Sequence, residues 1–195
     1  RDFCLSRGLG DVYKRQAKGS EYELEYKGKS YLVRVPLIGK FNMYNSLAAL
    51  AAVICADIPV RDAIANLQNI PQVPGRLELF THPGGAQIFI DYAHTPDALE
   101  NALKALRADH NGRLVALFGC GGDRDRTKRP IMGAIAADNA DFVIVTSDNP
   151  STEQTQSIIH EIIVGLEGKK TEHIAICDRA EAIKWAIDNH RANDV

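Results

Sequence analysis

The run Leu114–Pro150, LVALFGCGGDRDRTKRPIMGAIAADNADFVIVTSDNP, decides the fold. A short apolar segment breaks at Gly119-Cys120-Gly121-Gly122, and charge follows at once in Asp123-Arg124-Asp125-Arg126-Thr127-Lys128-Arg129. The chain then turns helix-like through Ala140 and returns to an apolar run from Phe142 to Thr146. Two buried strands flanking one helix predict a right-handed βαβ unit, both strands ending on the same edge of a parallel sheet. Loops and helix N-termini converge at that edge with unpaired N–H groups, so ligands favour it. Here it carries Gly121, Gly122, two arginines and Ser147-Asp148-Asn149-Pro150, a composition suited to anions.

Downstream, Ser151-Thr152-Glu153-Gln154 reads as a capping box ahead of Ile158, Ile159, Ile162, Ile163 and Leu166. His173 to Cys177 is another short strand, and Asp178 to Glu181 opens a last helix in the same way. The final five residues, Arg191 to Val195, look like the approach to one more strand. Upstream, Leu77–Phe80 and Gln87–Asp91 flank a His82-Pro83-Gly84-Gly85 turn, a hairpin, after which Thr95 caps a helix with Pro96 at its first position. Leu99, Ala102, Leu103 and Leu106 supply that helix's apolar stripe. Strands and helices alternate from residue 87 to the end, which predicts a mostly parallel, doubly wound sheet.

Pro71-Gln72-Val73-Pro74-Gly75-Arg76 interrupts the pattern and reads as a hinge or domain boundary. Before it, Glu21–Tyr26 and Ser30–Val35 alternate around Lys27-Gly28-Lys29 as a hairpin. A helix starting near Asn42 places Leu47, Leu50, Ala51 and Ile54 on one stripe, with Asn42 and Asn45 opposite. On spacing alone, Asn42 reads as a helix N-cap and Asn45 as solvated, although two carboxamides over Ala49 and Ala52 also suit a flat polar ligand. A second helix carries Val60, Ala63, Ile64 and Leu67 behind Pro59. Residues 1–16 show no sustained period and are set aside as an artefactual leader, leaving domains at 17–73 and 74–195 in what reads as a fragment.

Composition excludes several classes. With 45% hydrophobic and 25% charged residues and a net charge of −2, the chain is an ordinary globular protein without the field that nucleic acid or an anionic membrane requires. Four scattered cysteines form no disulfide framework or zinc motif, no apolar run is long enough to cross a bilayer, and a cytoplasmic setting is expected. The histidines have no metal-ligand spacing, and no metal site is expected. No Walker A motif or dinucleotide fingerprint occurs. Strand-to-helix turns favour glycine for structural reasons alone, but that does not account for Asp123-Arg124-Asp125-Arg126 beside them. Arginine's rigid fork suits a carboxylate or phosphate. Asp91, at the end of a strand, can grip a ribose diol or serve structure, and Arg76 can reach a phosphate or stay solvated.

The ordered set GKFNMYNSLAA (39–49), PGRLE (74–78), DYAHTPD (91–97), FGCGGDRD (118–125) with KRP (128–130), and SDNP (147–150) resembles the muramyl ligase family over about residues 20 to 195. The resemblance implies the tail of a central α/β ATPase domain followed by a Rossmann-like C-terminal domain. It also implies an activity: ATP phosphorylates a carboxylate of UDP-muramyl-dipeptide, and a diamino acid's amine attacks the acyl phosphate to form an amide. Asn42, Asn45, Arg76 and Asp91 would then serve ATP, with Arg124, Asp148, Asn149, Pro150 and Ser151 around the incoming amino acid. Arg126 and Lys128 would add to the field. No catalytic residue is assigned, Mg2+ is expected to be held by residues upstream, and a monomer is expected. Members selective for meso-diaminopimelate usually continue Asp-Asn-Pro with arginine, whereas Ser151 stands here, so lysine is a second candidate amino acid. The rival readings are a folylpolyglutamate or cyanophycin synthetase and a Rossmann-like module that binds a nucleotide or anion without chemistry.

Overall fold

The computed structural model describes residues 14–16 and 19–195. It divides into two compact units, one ending at Leu77 and the other beginning at Glu78, a few residues beyond the boundary read from Pro71–Arg76.

In the first unit, β1 (Lys14–Gln16), β2 (Gly19–Tyr26) and β3 (Lys29–Val35) form an antiparallel sheet in that order. Lys14–Gln16 pair with Gly19–Glu21, so the exclusion of residues 1–16 from the fold does not extend to these three; residues 1–13 lie outside the described residues. The β2–β3 hairpin closes through Lys27 and Gly28, both at positive φ (50° and 69°), the primed turn whose twist matches the strands. Tyr22, Leu24, Val33 and Val35 pack against α1 (Lys40–Cys55) and α2 (Val60–Leu67) through Met43, Leu50, Ala63, Ile64 and Leu67. Tyr22 Oη and Ser46 Oγ lie 2.9 Å apart in this core, joining sheet to helix.

The expected stripe on α1 is observed, but its start differs. Gly39, at φ 96°, is the N-cap, and Asn42 is no cap. Asn42 is buried instead of opposite the stripe, because its Nδ2 donates to the Ile38 carbonyl at 2.8 Å. A carbonyl just before a helix would otherwise lose its partner on burial, and the carboxamide supplies one.

In the second unit, β4 (Glu78–Thr81) and β5 (Gln87–Ile90) pair antiparallel as a separate sheet. α3 (Pro96–Asp109) follows, with Thr95 Oγ1 accepting from the Ala98 N–H at 3.3 Å, as its sequence predicts. Then come β6 (Val115–Phe118), α4 (Lys128–Asn139), β7 (Phe142–Thr146), α5 (Thr155–Val164), β8 (Glu172–Ile176) and α6 (Arg179–Asp188). Strands β6, β7 and β8 are parallel in that order. Gly133 and Gly165 let α4 and α5 approach closely, since a Cβ at either would collide with the other helix segment's backbone.

After α6 the chain returns to the far side of β6. Val195 N donates to Arg113 O at 2.9 Å and Val115 N to Val195 O at 2.7 Å, one rung of parallel pairing. Right-handed crossovers running in opposite directions place α4 and α5 on one face and α6 on the other. Trp185 of α6 accordingly stacks on Phe142, with ring centroids 5.7 Å apart. Residues 143–146 of the central strand β7 are fully buried, as a strand covered on both faces must be. The strand order reverses beside β6, so the loop leaving β6 opens at the topological switch point. That loop is Gly119–Thr127.

One expected element starts elsewhere. Ser151 does not cap α5, which begins at Thr155 behind Gln154. Ser151 sits in a turn at φ 49°, and its two successors are held by residues far away in sequence.

Candidate functional site at the carboxyl edge of the parallel sheet

The ends of β6, β7 and β8 contribute, together with the end of β5 from its separate sheet. The β5 end carries Asp91, whose Oδ1 accepts from the Ala93 N–H at 2.9 Å, a tight Asx turn. Lys128, at the start of α4, reaches across and donates to the His94 carbonyl at 2.9 Å, joining this loop to the next. His94 itself is exposed, its Nδ1 3.1 Å from the Tyr92 carbonyl oxygen. From the β8 side, Arg179 donates to the Ser147 carbonyl at 2.9 Å.

The loops after β6 and β7 are locked together. Gly119 and Gly122 have no room for a side chain: a Cβ at Gly119 would meet the Thr146 carbonyl, and one at Gly122 the Pro150 carbonyl. This contact lets the Gly122 N–H donate to the Asn149 carbonyl at 2.8 Å. The Asp123 N–H donates to Glu153 Oε1 at 2.7 Å, and the Thr152 N–H returns a bond to Asp123 Oδ2 at 3.1 Å. Thr152 Oγ1 also donates to Asp123 Oδ1 at 2.8 Å. Asp123 adopts φ 51°, rare for a residue with a Cβ, so this loop and the Ser151 turn are both in left-handed backbone.

Beneath them lies Arg129, 0% exposed. Its Nη1 donates to Glu153 Oε2 and Glu161 Oε2, each at 2.8 Å, and its Nη2 to Glu153 Oε1 at 2.7 Å and the Gly121 carbonyl at 3.2 Å. Arg126 pairs with Glu161 from outside. The Arg129 hydrogen bonds first, and the Asp123 N–H second, pull the Glu153 carboxyl from its ordinary 4.5 down to about 2. Hydrogen bonding to Glu153 raises the Arg129 guanidinium still further above its ordinary value, against the penalty of burial. Asp125 is held low by Thr127, whose hydroxyl and N–H both donate to Oδ1. Burial pushes the Cys120 thiol up to about 11, which leaves it inert.

Arg126 and Lys128 are therefore occupied: one is paired with a carboxylate, the other bonded to a backbone carbonyl. Arg124 and Asp148 are exposed and make no side-chain hydrogen bond or ion pair among the described residues. Asn149 and Ser151 complete a second Asx turn, the Ser151 N–H donating to Asn149 Oδ1 at 3.2 Å. The Pro150 carbonyl accepts from the Glu153 N–H at 2.9 Å. Among the described residues, Arg124 and Asp148 thus stand as an unpartnered cation and an unpartnered anion on two loops that are bonded to each other.

The remaining sequence-derived candidates lie in the first unit. Asn45 is exposed, its Nδ2 3.4 Å from Asn42 Oδ1, and Arg76 is exposed with its N–H bonded to the Val73 carbonyl at 3.1 Å. Sequence reasoning missed Arg129, Glu153 and Glu161. Arg129 and Glu153 are separated by 24 positions, and no local period links them.

A parallel, doubly wound sheet with a glycine loop at its switch point defines an α/β domain of the Rossmann-like class. The description "Mur ligase, glutamate ligase domain" matches residues 75–195, and "Mur ligase middle domain" matches residues 9–53. The chain belongs to the Mur ligase family. It is 41% identical over 195 residues, all of this chain and 40% of the relative, to the UDP-N-acetylmuramoyl-L-alanyl-D-glutamate–2,6-diaminopimelate ligase of Coxiella burnetii. The protein of that name from Syntrophomonas wolfei is 44% identical over 178 residues, 91% of this chain and 36% of the relative. A solved structure of a ligase with that name superposes with a TM-score of 0.64 at 37% identity, over 97% of this chain and 40% of that one. The UDP-N-acetylmuramate-alanine ligase of Thermotoga maritima shares the fold, with a TM-score of 0.74 at 22% identity over 95% of this chain and 40% of that one. The chain spans about two fifths of the length of the curated relatives it matches. No helix among the described residues is long and apolar enough to cross a membrane.

Proposed function

We propose that this chain is part of an ATP-dependent amide ligase of peptidoglycan synthesis that adds a diamino acid to UDP-N-acetylmuramoyl-L-alanyl-D-glutamate in the cytoplasm. The observation that carries the reading is identity of about 40% or more, along nearly the whole chain, with relatives named as 2,6-diaminopimelate ligases. The edge geometry supports it. An amino acid brings a carboxylate and an ammonium together, and Arg124 and Asp148 are an unpaired guanidinium and carboxylate on mutually bonded loops. Arg124 takes the carboxylate through its fork. Asp148 takes an ammonium group, and Asn149 and Pro150 shape the turn that carries it. The attacking amine must be neutral, so ion pairing serves the amino acid's far end and leaves the nucleophile to the acyl phosphate.

ATP is assigned to Asn42, Asn45, Arg76 and Asp91. Asn42, fixed by Ile38, orients the exposed Asn45 toward the adenine. Arg76 serves phosphate, and Asp91 serves a ribose hydroxyl. Among the described residues, no group of three or more His, Cys, Asp or Glu side chains comes together to hold a metal, so none is assigned to the Mg2+ expected with ATP. Diaminopimelate is the amino acid the named relatives favour. Ser151 cannot pair with its second carboxylate, so Arg124 carries that work alone.

Phosphate release from ATP by the full-length gene product, with UDP-muramyl-dipeptide and either meso-diaminopimelate or L-lysine, tests the reading. Faster release with diaminopimelate is expected. Preference for lysine would make position 151 the selector, and no release with either amino acid would sink the ligase reading.

A further inference from the structure

Arg129 is the largest fully buried side chain among the described residues, yet it stands in no substrate-facing position. A buried guanidinium paired with carboxylates is weak evidence of stabilisation, because desolvation consumes most of the Coulombic gain. Its Nε has no partner among the described residues, a further cost. What the arrangement does fix is geometry. One fork touches the Gly121 carbonyl, the carboxylate of Glu153 and that of Glu161. Glu153 passes the constraint to the Asp123 N–H, and Asp123 passes it to the Thr152 N–H. Of the two non-glycine residues in left-handed backbone on these loops, Asp123 is a member of this chain of bonds and Ser151 immediately precedes its last member, Thr152. Such conformations persist only where the surroundings over-determine them. Asp123 immediately precedes Arg124, and Ser151 closes the Asx turn that begins at Asn149, the neighbour of Asp148.

We propose that Arg129, acting through Glu153, is the positioning residue of the amino-acid pocket: it holds the Asp123 and Ser151 turns so that Arg124 and Asp148 stand at the spacing a zwitterion requires. This inference rests on the amino-acid reading of Arg124 and Asp148 given above. Glu161 shares the load, because it neutralises Arg129 from the α5 side and is itself clamped by Arg126. The arginine never touches substrate. Its removal changes how often the pocket is assembled, and the effect falls on the amino acid and not on ATP. Lysine is no substitute, since a point charge cannot span Glu153, Glu161 and a carbonyl at once.

The test compares R129M, R129K, E153Q and R124A in the full-length gene product, measuring KM for the preferred amino acid, KM for ATP, kcat and thermal melting. E153Q keeps the side chain's shape and decides the matter should R129M not fold. The expected result is a rise of about tenfold or more in the amino-acid KM for R129M and E153Q, with R129K no better than R129M and the ATP KM within about twofold. A parallel rise in both KM values would overturn the proposal, as would a lowered melting temperature with an unchanged amino-acid KM. The two levels separate through R124A. If R124A leaves the amino-acid KM unchanged, the pocket assignment fails and takes this inference with it. If R124A raises it while E153Q and R129M do not, the positioning role alone fails.

Discussion

The two edges of the parallel sheet are both held by ion pairs, and they use them differently. At the amino edge, Arg107 reaches Asp141 at 2.5 Å, Lys169 reaches Asp138 at 2.7 Å, and Arg113 reaches Asp194 at 2.5 Å. The first two of these pairs are largely exposed, and they join helix ends to strand starts. A cavity of about 360 Å³ lies between Lys104, Arg107, Asp138 and Asp141, but Arg107, Asp138 and Asp141 already hold partners. At the carboxyl edge, the central cation is buried, two non-glycine residues sit in left-handed backbone, and Arg124 and Asp148 are left over. One edge pairs its charges to close the fold, while the other pairs some charges so that two remain available. The difference separates a staple from the site proposed above.

The most forceful way to break the comparison is to pry the carboxyl loops apart. Ala at Gly122 drives a methyl group into the Pro150 carbonyl and forces the Gly122–Asn149 bond open. Overpacking of this kind costs roughly 1–3 kcal/mol. At roughly 2–4 °C per kcal/mol for a chain of this size, melting of the variant should begin several degrees early. Gly121→Ala is the control, because a Cβ there meets nothing closer than 3.7 Å, and it should cost under about 0.5 kcal/mol. Equal melting of the two variants would mean that the loops do not depend on their close approach.

A gentler probe is acid. The folded-state Glu153 carboxyl lies near 2 against an ordinary 4.5, so its contribution is complete above about pH 4.5 and drains away as pH falls toward 2. Asp141 is also held low: burial opposes it, but Arg107 and the Leu114 N–H outweigh burial, so the amino edge weakens in acid too. E153Q removes only Glu153's share and leaves Glu161, Asp125 and Asp141 in place. The drop in melting temperature between pH 5 and pH 2.5 should therefore be smaller in E153Q than in the unaltered chain, with a smaller absolute stability at pH 5. An identical drop in both would show that Arg129 does not hold the Glu153 proton off.

These contrasts also mark what the sequence could disclose. The β2–β3 hairpin, the α1 and α3 stripes and the glycine loop between β6 and α4 were legible, because each is written in a local period or a local turn residue. Ser151-Thr152-Glu153-Gln154 was read as a capping box, and that failed for a tertiary reason. Asp123 holds Thr152 and Arg129 holds Glu153, which leaves Gln154 to open α5. Spacing alone makes Asn42 a cap, whereas Gly39 holds the N-cap and the Asn42 carboxamide satisfies the Ile38 carbonyl inside the first unit. By local rules Arg126 belongs to the ligand field, because Glu161, 35 positions away, is invisible to them. Charge patterns marked this edge, but they could not say which charges were already spent.

The smallest expected effect lies at the amino edge, and it is the most discriminating. Lys169 contacts both oxygens of Asp138, at 2.7 and 2.8 Å, yet both side chains keep a third or more of their surface in water. An exposed pair loses in side-chain entropy and screening most of what it gains, leaving about 0–1 kcal/mol. K169A should shift melting by no more than a degree or two at low salt, and the shift should vanish near 1 M salt, where the Debye length is about 3 Å. A loss comparable to that of Gly122→Ala, or one indifferent to salt, would mean that the amino edge is as over-determined as the carboxyl edge. The amino edge already buries the Asp194 carboxylate beside a left-handed Asn193, so nothing but the buried cation would then set the carboxyl edge apart, and the case for Arg124 and Asp148 would rest on their lack of partners alone.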